Sequence, residues 1–292
     1  MKLLYQYKNG NYIVKIYDDG TKVRISNDDD FKPNFPESID LKITNYCDQN
    51  CPMCHENSNN LGKHASFDAS FLDKLHPGIE IAIGGGNPLA HPNLIEFLKK
   101  LKTLKVISNI TINEKHFLKN YSLVQNLIDE KLVYGVGISL NEFNEKTLEF
   151  AKKNNNVIFH LIAGLVKIDD LIRLYDKDYK ILILGYKNWG RGKDFYSEII
   201  QKNIKVLDEH ILEIIEHFKV VSFDNLSLKQ LNIKEKLDKN VWERIFMGDD
   251  GQFTMYIDLV KGEFAKNSTS PKRYKILDEL EEMFLAIKNE NN

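Results

Sequence analysis

Apolar and polar residues change rhythm along these 292 residues. At the start, Leu3 to Tyr7 and Tyr12 to Tyr17 alternate and flank Asn9-Gly10, while Asp18-Asp19-Gly20 leads into Lys22 to Ile25. Alternation broken by Asn-Gly and Asp-Gly predicts antiparallel strands, because tight hairpin turns need the positive φ those residues tolerate. Residues 26–38 carry Pro33, Pro36 and an acidic run and read as a linker. From residue 39 short apolar stretches at 39–44, 79–83, 105–110, 134–139, 157–162 and 180–185 read as strands. Helical stretches near 66–75, 93–102, 122–130, 144–153 and 168–175 separate them. That order predicts parallel βαβ units with right-handed crossovers. Six such strands fit a partial (β/α)6 barrel or an open doubly wound sheet, and either gathers ligands at the carboxyl ends of its strands.

Beyond residue 205 the pattern predicts a helix over 206–218 and a strand near 220–224. A hairpin over 244–258, turning at Asp249-Asp250-Gly251, and a charged terminal helix over 271–288 follow. The chain thus divides into an N-terminal strand extension with linker (1–38), an α/β core (39–205) and a C-terminal extension (206–292).

Composition excludes several classes. No apolar run reaches membrane-spanning length, so no membrane association is expected. Net charge is −2 with both signs interspersed, so the basic stripe of a nucleic-acid binder is missing. The opening Met1-Lys-Leu-Leu-Tyr-Gln-Tyr-Lys8 lacks the apolar centre of an export signal, and a cytoplasmic protein is expected.

Chemistry concentrates at two strand ends. All three cysteines, Cys47, Cys51 and Cys54, follow the 39–44 strand. Soft thiolates select zinc, copper(I) or iron–sulfur clusters. With His55 they make a Cys3His zinc set; alone they suit a [4Fe–4S] cluster with one iron left open to a ligand. A disulfide would strand an odd cysteine, and the C-x-x-C-H string ending at His55, a haem-attachment pattern, leaves Cys47 unexplained. The second strand ends in Gly84-Gly85-Gly86-Asn87-Pro88, where glycine lets backbone approach a ligand closely.

Together, the C-x3-C-x2-C spacing and the Gly-Gly-Asn-Pro turn resemble the radical S-adenosylmethionine (radical SAM) superfamily, over roughly residues 39–205. The resemblance implies a partial (β/α)6 TIM-like barrel in which Cys47, Cys51 and Cys54 hold one [4Fe–4S] cluster. The open iron would chelate the methionine moiety of SAM, and an electron from a reducing partner such as flavodoxin or ferredoxin would cleave SAM to a hydrogen-abstracting 5′-deoxyadenosyl radical. Gly85, Gly86 and Pro88 match the superfamily's GGEP motif, and Asn87 stands where that motif has Glu. Met53 replaces the usual aromatic residue before the third cysteine. By position, Ser108 and Asn109 at the predicted third strand end, with Thr111 and Asn113 after them, resemble SAM-binding residues. So do Ser139 and Asn141 after the fourth strand and Tyr186 after the sixth. Ser and Asn are also ordinary turn formers and caps at such places. His160 reads either as cavity-facing or as a core histidine.

The C-terminal hairpin is similar to the extension of peptide-modifying radical SAM enzymes. It lacks cysteine, so no auxiliary cluster is expected. A peptide or protein side chain is the expected substrate, with Asp249, Asp250, Tyr256 and Asp258 as candidate contacts. A small metabolite or nucleoside is the alternative, and a non-enzymatic zinc-binding module is the competitor of another class.

Overall fold

The computed structural model describes residues 2–290. Strands β1 (Leu3–Asn9), β2 (Tyr12–Tyr17) and β3 (Lys22–Ile25) form the expected antiparallel sheet. One face of β2, through Tyr12, Val14 and Ile16, packs with Ile107 and Phe253 of the main body. The stretch expected as a linker is an anchor at Glu37, which is fully buried. Its carboxylate accepts hydrogen bonds from Tyr12 (2.7 Å) and Arg24 (2.7 Å), pairs with Lys22 at 3.3 Å, and Arg24 lies 3.7 Å above the Phe253 ring.

The main body is an α/β structure on one large sheet. β4 (Ser38–Thr44), β5 (Glu80–Gly85), β6 (Ile107–Asn113), β7 (Gly135–Ser139), β8 (Val157–Ile162) and β9 (Lys180–Leu184) run parallel in chain order, as the alternating pattern predicts. The sheet then grows at both ends. β10 (Val220–Phe223) pairs parallel with β9, and β11 (Thr254–Asp258) pairs parallel with β4. β12 (Glu263–Ala265) and β13 (Tyr274–Lys275) continue antiparallel, giving ten strands. The helices between are α1 (Leu94–Thr103), α2 (Glu114–Lys119), α3 (Tyr121–Asp129), α4 (Glu145–Lys153), α5 (Ile168–Ile172), α6 (Arg191–Phe195) and α7 (Glu198–Glu216). Then come α8 (Asn225–Gln230), α9 (Ile233–Lys236), α10 (Lys239–Ile245) and α11 (Leu280–Lys288).

Strand alternation separates two faces. Ile39, Leu41, Ile43, Ile81, Ile83, Ile110, Ile112, Val136 and Ile138 join helix residues such as Leu98, Leu101 and Phe117 in one core. The opposite face carries Asp40 beside Ala82, Lys42 beside Gly84, Thr111 beside Gly137, and Ser139 beside His160. This face is concave. β4 and β9 stand five positions apart, about 24 Å in a flat sheet. Yet Lys187, just past β9, reaches within 3.4 Å of His55 in the loop after β4.

Four expected elements differ. The helix over 66–75 reduces to a short 3-10 turn, Ser70–Asp73, because Phe67 is held by stacking on Phe97 at 3.9 Å. The 206–218 helix starts earlier, at Glu198. The hairpin over 244–258 has a strand only on its far side, since Trp242 and Phe246 stack at helical spacing (4.6 Å) in and just beyond α10. The antiparallel hairpin is β11–β12 instead. The terminal helix begins at Leu280, not near 271, because Tyr274 and Lys275 pair with β12. Among the described residues no helix is long and apolar enough to cross a membrane.

Candidate functional site

The cysteine loop, residues 45–64, leaves β4 and folds back on its own start. Cys47 N–H donates to Asn59 C=O (2.8 Å), Asn45 N–H to Lys63 C=O (2.8 Å), and Cys54 N–H to Cys51 C=O (3.2 Å). Cys47 is buried, while Cys51 and Cys54 are partly exposed, and all three are free thiols. Burial pushes the Cys47 and Cys51 thiols up, so forming their thiolates calls for a compensating cation.

Three anchors hold this loop from outside. Arg191, at the start of α6, donates to Cys51 C=O (3.0 Å) and Ser58 C=O (2.8 Å), and its own N–H donates to the Asn57 side chain (2.8 Å). Gly190 precedes it with φ +55°, and a Cβ there would lie 2.4 Å from the His55 carbonyl oxygen, so only glycine fits. From β4 and β11, Lys42 pairs with Glu56 (2.5 Å) and Asp258 (3.1 Å), and Tyr256 Oη donates to Glu56 (3.0 Å). On the third side Asp48 bonds His116 and, at 3.0 Å, Lys119 of α2. Lys119 and His116 together hold the Asp48 carboxyl well below its ordinary range.

The glycine turn packs directly beneath. Gly86 N–H donates to Thr44 C=O (2.8 Å) and Asn87 N–H to Tyr46 C=O (2.6 Å). A Cβ on Gly85 would come within 2.4 Å of the Thr44 carbonyl oxygen and one on Gly86 within 2.1 Å of that of Tyr46. These glycines therefore admit the cysteine loop's backbone, whereas Gly84 faces open space. Asn87 is 7% exposed and its Oδ1 is buried without a hydrogen-bond partner. Pro88 opens a 3-10 turn behind it.

The remaining expected residues scatter. β6 runs on to Asn113, so Ser108 and Asn109 sit near its amino end, not at its carboxyl end. Ser108 is buried, and Asn109 lines a cavity of about 560 Å³ beneath the strand starts with Tyr134, Lys180 and the β2–β3 turn. Asn113 caps α2 by accepting from Lys115 N–H (2.9 Å). Ser139 faces the concave side at the end of β7. The Asn141 side chain only bonds Ser139 C=O (3.1 Å); its N–H, with those of Glu142, Phe143 and Asn144, is bound by the buried Glu114 carboxylate at 2.7–3.2 Å. Tyr186 is buried and donates to Gly192 C=O (2.7 Å), bracing the loop that carries Arg191. Met53 lies against that loop, its carbonyl oxygen beside Gly192.

Of the expected substrate contacts, Asp258 and Tyr256 are taken up by Lys42 and Glu56, and Asp250 accepts from Asn225 and Asn267 (both 2.7 Å). Asp249 is exposed. His160 faces the concave side and lies over Gly137; burial lowers it to about 4 and its Nδ1 is unpartnered.

Sequence reasoning missed Arg191, His116, Lys42 and Glu56. Each acts through a partner distant in sequence, and none lies in a recognisable local pattern.

Tetrahedral zinc with Zn–S bonds of about 2.3 Å needs sulfurs about 3.8 Å apart. Among the described residues, the one group of possible ligands within 4.8 Å of one another is Cys47, Asp48 and His116, so the three thiols do not all lie that close together. His55 turns toward Lys187 and Glu56 instead of joining a ligand set.

No protein-family model matches the chain. It is 28% identical over 203 residues to the uncharacterized protein MJ0907 of Methanocaldococcus jannaschii, covering 65% of this chain and 63% of that protein. Among solved structures it is similar to Streptococcus suis SuiB bound to precursor peptide SuiA, with TM-score 0.59, 14% identity, and 86% of this chain matched to 65% of that one. SuiB bound to S-adenosylmethionine gives TM-score 0.58 at 14% identity, over 83% and 64% of the two chains. Over the matched residues the fold is similar to that of SuiB. The chain spans just under two thirds of SuiB, and the likeness at this identity is one of fold.

Proposed function

We propose that this chain is a radical SAM enzyme acting on a peptide or protein side chain, with the curled sheet as its partial (β/α)6 barrel. The buried, unpartnered Oδ1 of Asn87 beside the cysteine loop carries the reading, because an acceptor left open there suits an ammonium group. Cys47, Cys51 and Cys54 would hold a [4Fe–4S] cluster, the centre that three thiolates and one open iron suit. A cluster held there would supply the one-electron reduction that cleaves SAM to methionine and a 5′-deoxyadenosyl radical able to take hydrogen from the substrate. Asn87 would receive the amino group of SAM, and Ser139 offers a hydroxyl on the same concave side. Arg191, Lys42 and Glu56 keep the cysteine loop in place. Fold likeness to a protein solved both with SAM and with its precursor peptide supports the choice of substrate class. A reducing partner such as flavodoxin or ferredoxin would deliver the electron, in a cytoplasm that keeps thiols reduced.

The test is anaerobic reconstitution with iron and sulfide, then dithionite and SAM, with 5′-deoxyadenosine measured by mass-resolved chromatography. Cluster-dependent 5′-deoxyadenosine, lost with the brown chromophore in Cys47→Ala, is expected. Stoichiometric zinc in protein made without oxygen, and no reconstituted cluster, would sink the reading.

A further inference from the structure

Asp40 lies on the concave face of β4, flanked in register by Tyr256 of β11 and Ala82 of β5. Solvent reaches it. Its carboxylate makes no hydrogen bond or ion pair among the described residues. The acids around it are all engaged. Asp224 accepts from Gly185 N–H and Ser227 N–H (both 2.8 Å), Asp250 from two asparagines, and Glu56 from Lys42 and Tyr256. The cations on this side are held as well: Lys187 by Ser268 Oγ at 2.9 Å, and Lys42, two residues along β4, by Glu56 and Asp258. One layer above, Gly84 leaves space where any other residue would place a side chain.

We propose that Asp40 receives the cationic end of the substrate, a lysine ammonium or arginine guanidinium. This names the chemistry of the substrate proposed above and rests on that reading for its biological meaning. A free carboxylate beside open space, among acids that already have partners, is a position that an entering cation completes. Desolvation raises the Asp40 carboxyl; Lys187 opposes this, while Asp250, Asp224 and Glu56 add to it. A bound cation would act with Lys187 in favouring the ionised carboxylate.

Binding is measured by NMR line broadening on the reconstituted protein with Nα-acetyl-lysine methylamide, its arginine counterpart, and the norleucine and glutamate analogues. At least tenfold tighter binding of a cationic probe than of norleucine is expected. Asp40→Asn should bring that ratio to within about twofold, and Lys187→Met should raise it about threefold. Misfolding cannot produce that second, opposite change. Equal binding of lysine, arginine and norleucine analogues, or a preference that survives Asp40→Asn, overturns the assignment. Either result with SAM cleavage intact removes Asp40 alone. Failure of SAM cleavage removes the parent reading, while the titration still reports on Asp40.

Discussion

At Asn87 a buried carboxamide oxygen goes without a partner, a condition that costs about 1–3 kcal/mol while nothing fills it. Asn87→Leu should therefore leave the melting temperature unchanged or raise it, yet weaken SAM binding about tenfold in equilibrium dialysis. Asn87→Glu should tighten SAM about fivefold, because a charge-assisted hydrogen bond to an ammonium adds about 1 kcal/mol. Loss of stability in Asn87→Leu would show instead that the side chain is structural. Cysteines and an odd residue in a glycine turn are chemically conspicuous, so Cys47, Cys51, Cys54 and Asn87 were legible in the sequence. Ser108 and Asn109 were not placed correctly, because apolar alternation continues through Ile110 and Ile112 and carries β6 past them. Nothing local marks Arg191 as the clamp on Cys51, since that contact joins residues 140 apart.

Among the elements, the three-stranded sheet is fixed to the main body by one buried carboxylate. Burial works against ionisation of Glu37, but Arg24, Lys22 and Tyr12 outweigh it and hold the carboxyl below its usual range. A depressed folded pKa gives stability that is present above the ordinary carboxylate value, roughly 4, and is lost as pH falls through the folded value. Hydrogen exchange at the β2 amides should accordingly accelerate below about pH 4, ahead of amides in β5. In Glu37→Gln that acid-dependent step should vanish, with protection already reduced at neutral pH. Exchange that stays uniform across β2 and β5 at every pH would remove Glu37 as the anchor. Strand positions from β4 to β9, apart from the far end of β6, followed from short apolar stretches separated by helical ones. The segment before Asp249 misled because an Asp-Asp-Gly turn fits a hairpin as well as the exit from a helix. The Trp242–Phe246 spacing was the helical signal there.

For the whole molecule, the last fifth of the chain is part of the sheet and not an appendage. β11 covers the edge of β4, and Asp258 shares Lys42, which is only 2% exposed, with Glu56. Removing residues 246–292 would bare that edge and take one of two carboxylates from a buried lysine. The truncated chain should elute as aggregate in size-exclusion chromatography; a well-behaved monomer would show that the sheet is self-sufficient without β11. No sequence pattern near 254–258 specified a partner, because parallel pairing with β4 joins strands far apart in the chain. The same link sets an order of events during synthesis. Glu56 and Tyr256 are 200 residues apart. At ribosomal speeds of about 5–20 residues per second, the cysteines emerge roughly 10–40 seconds before the strand that steadies them. The cysteine loop therefore gains its Tyr256 support only once β11 has been made, and a chain stalled before that strand would present three thiols without it.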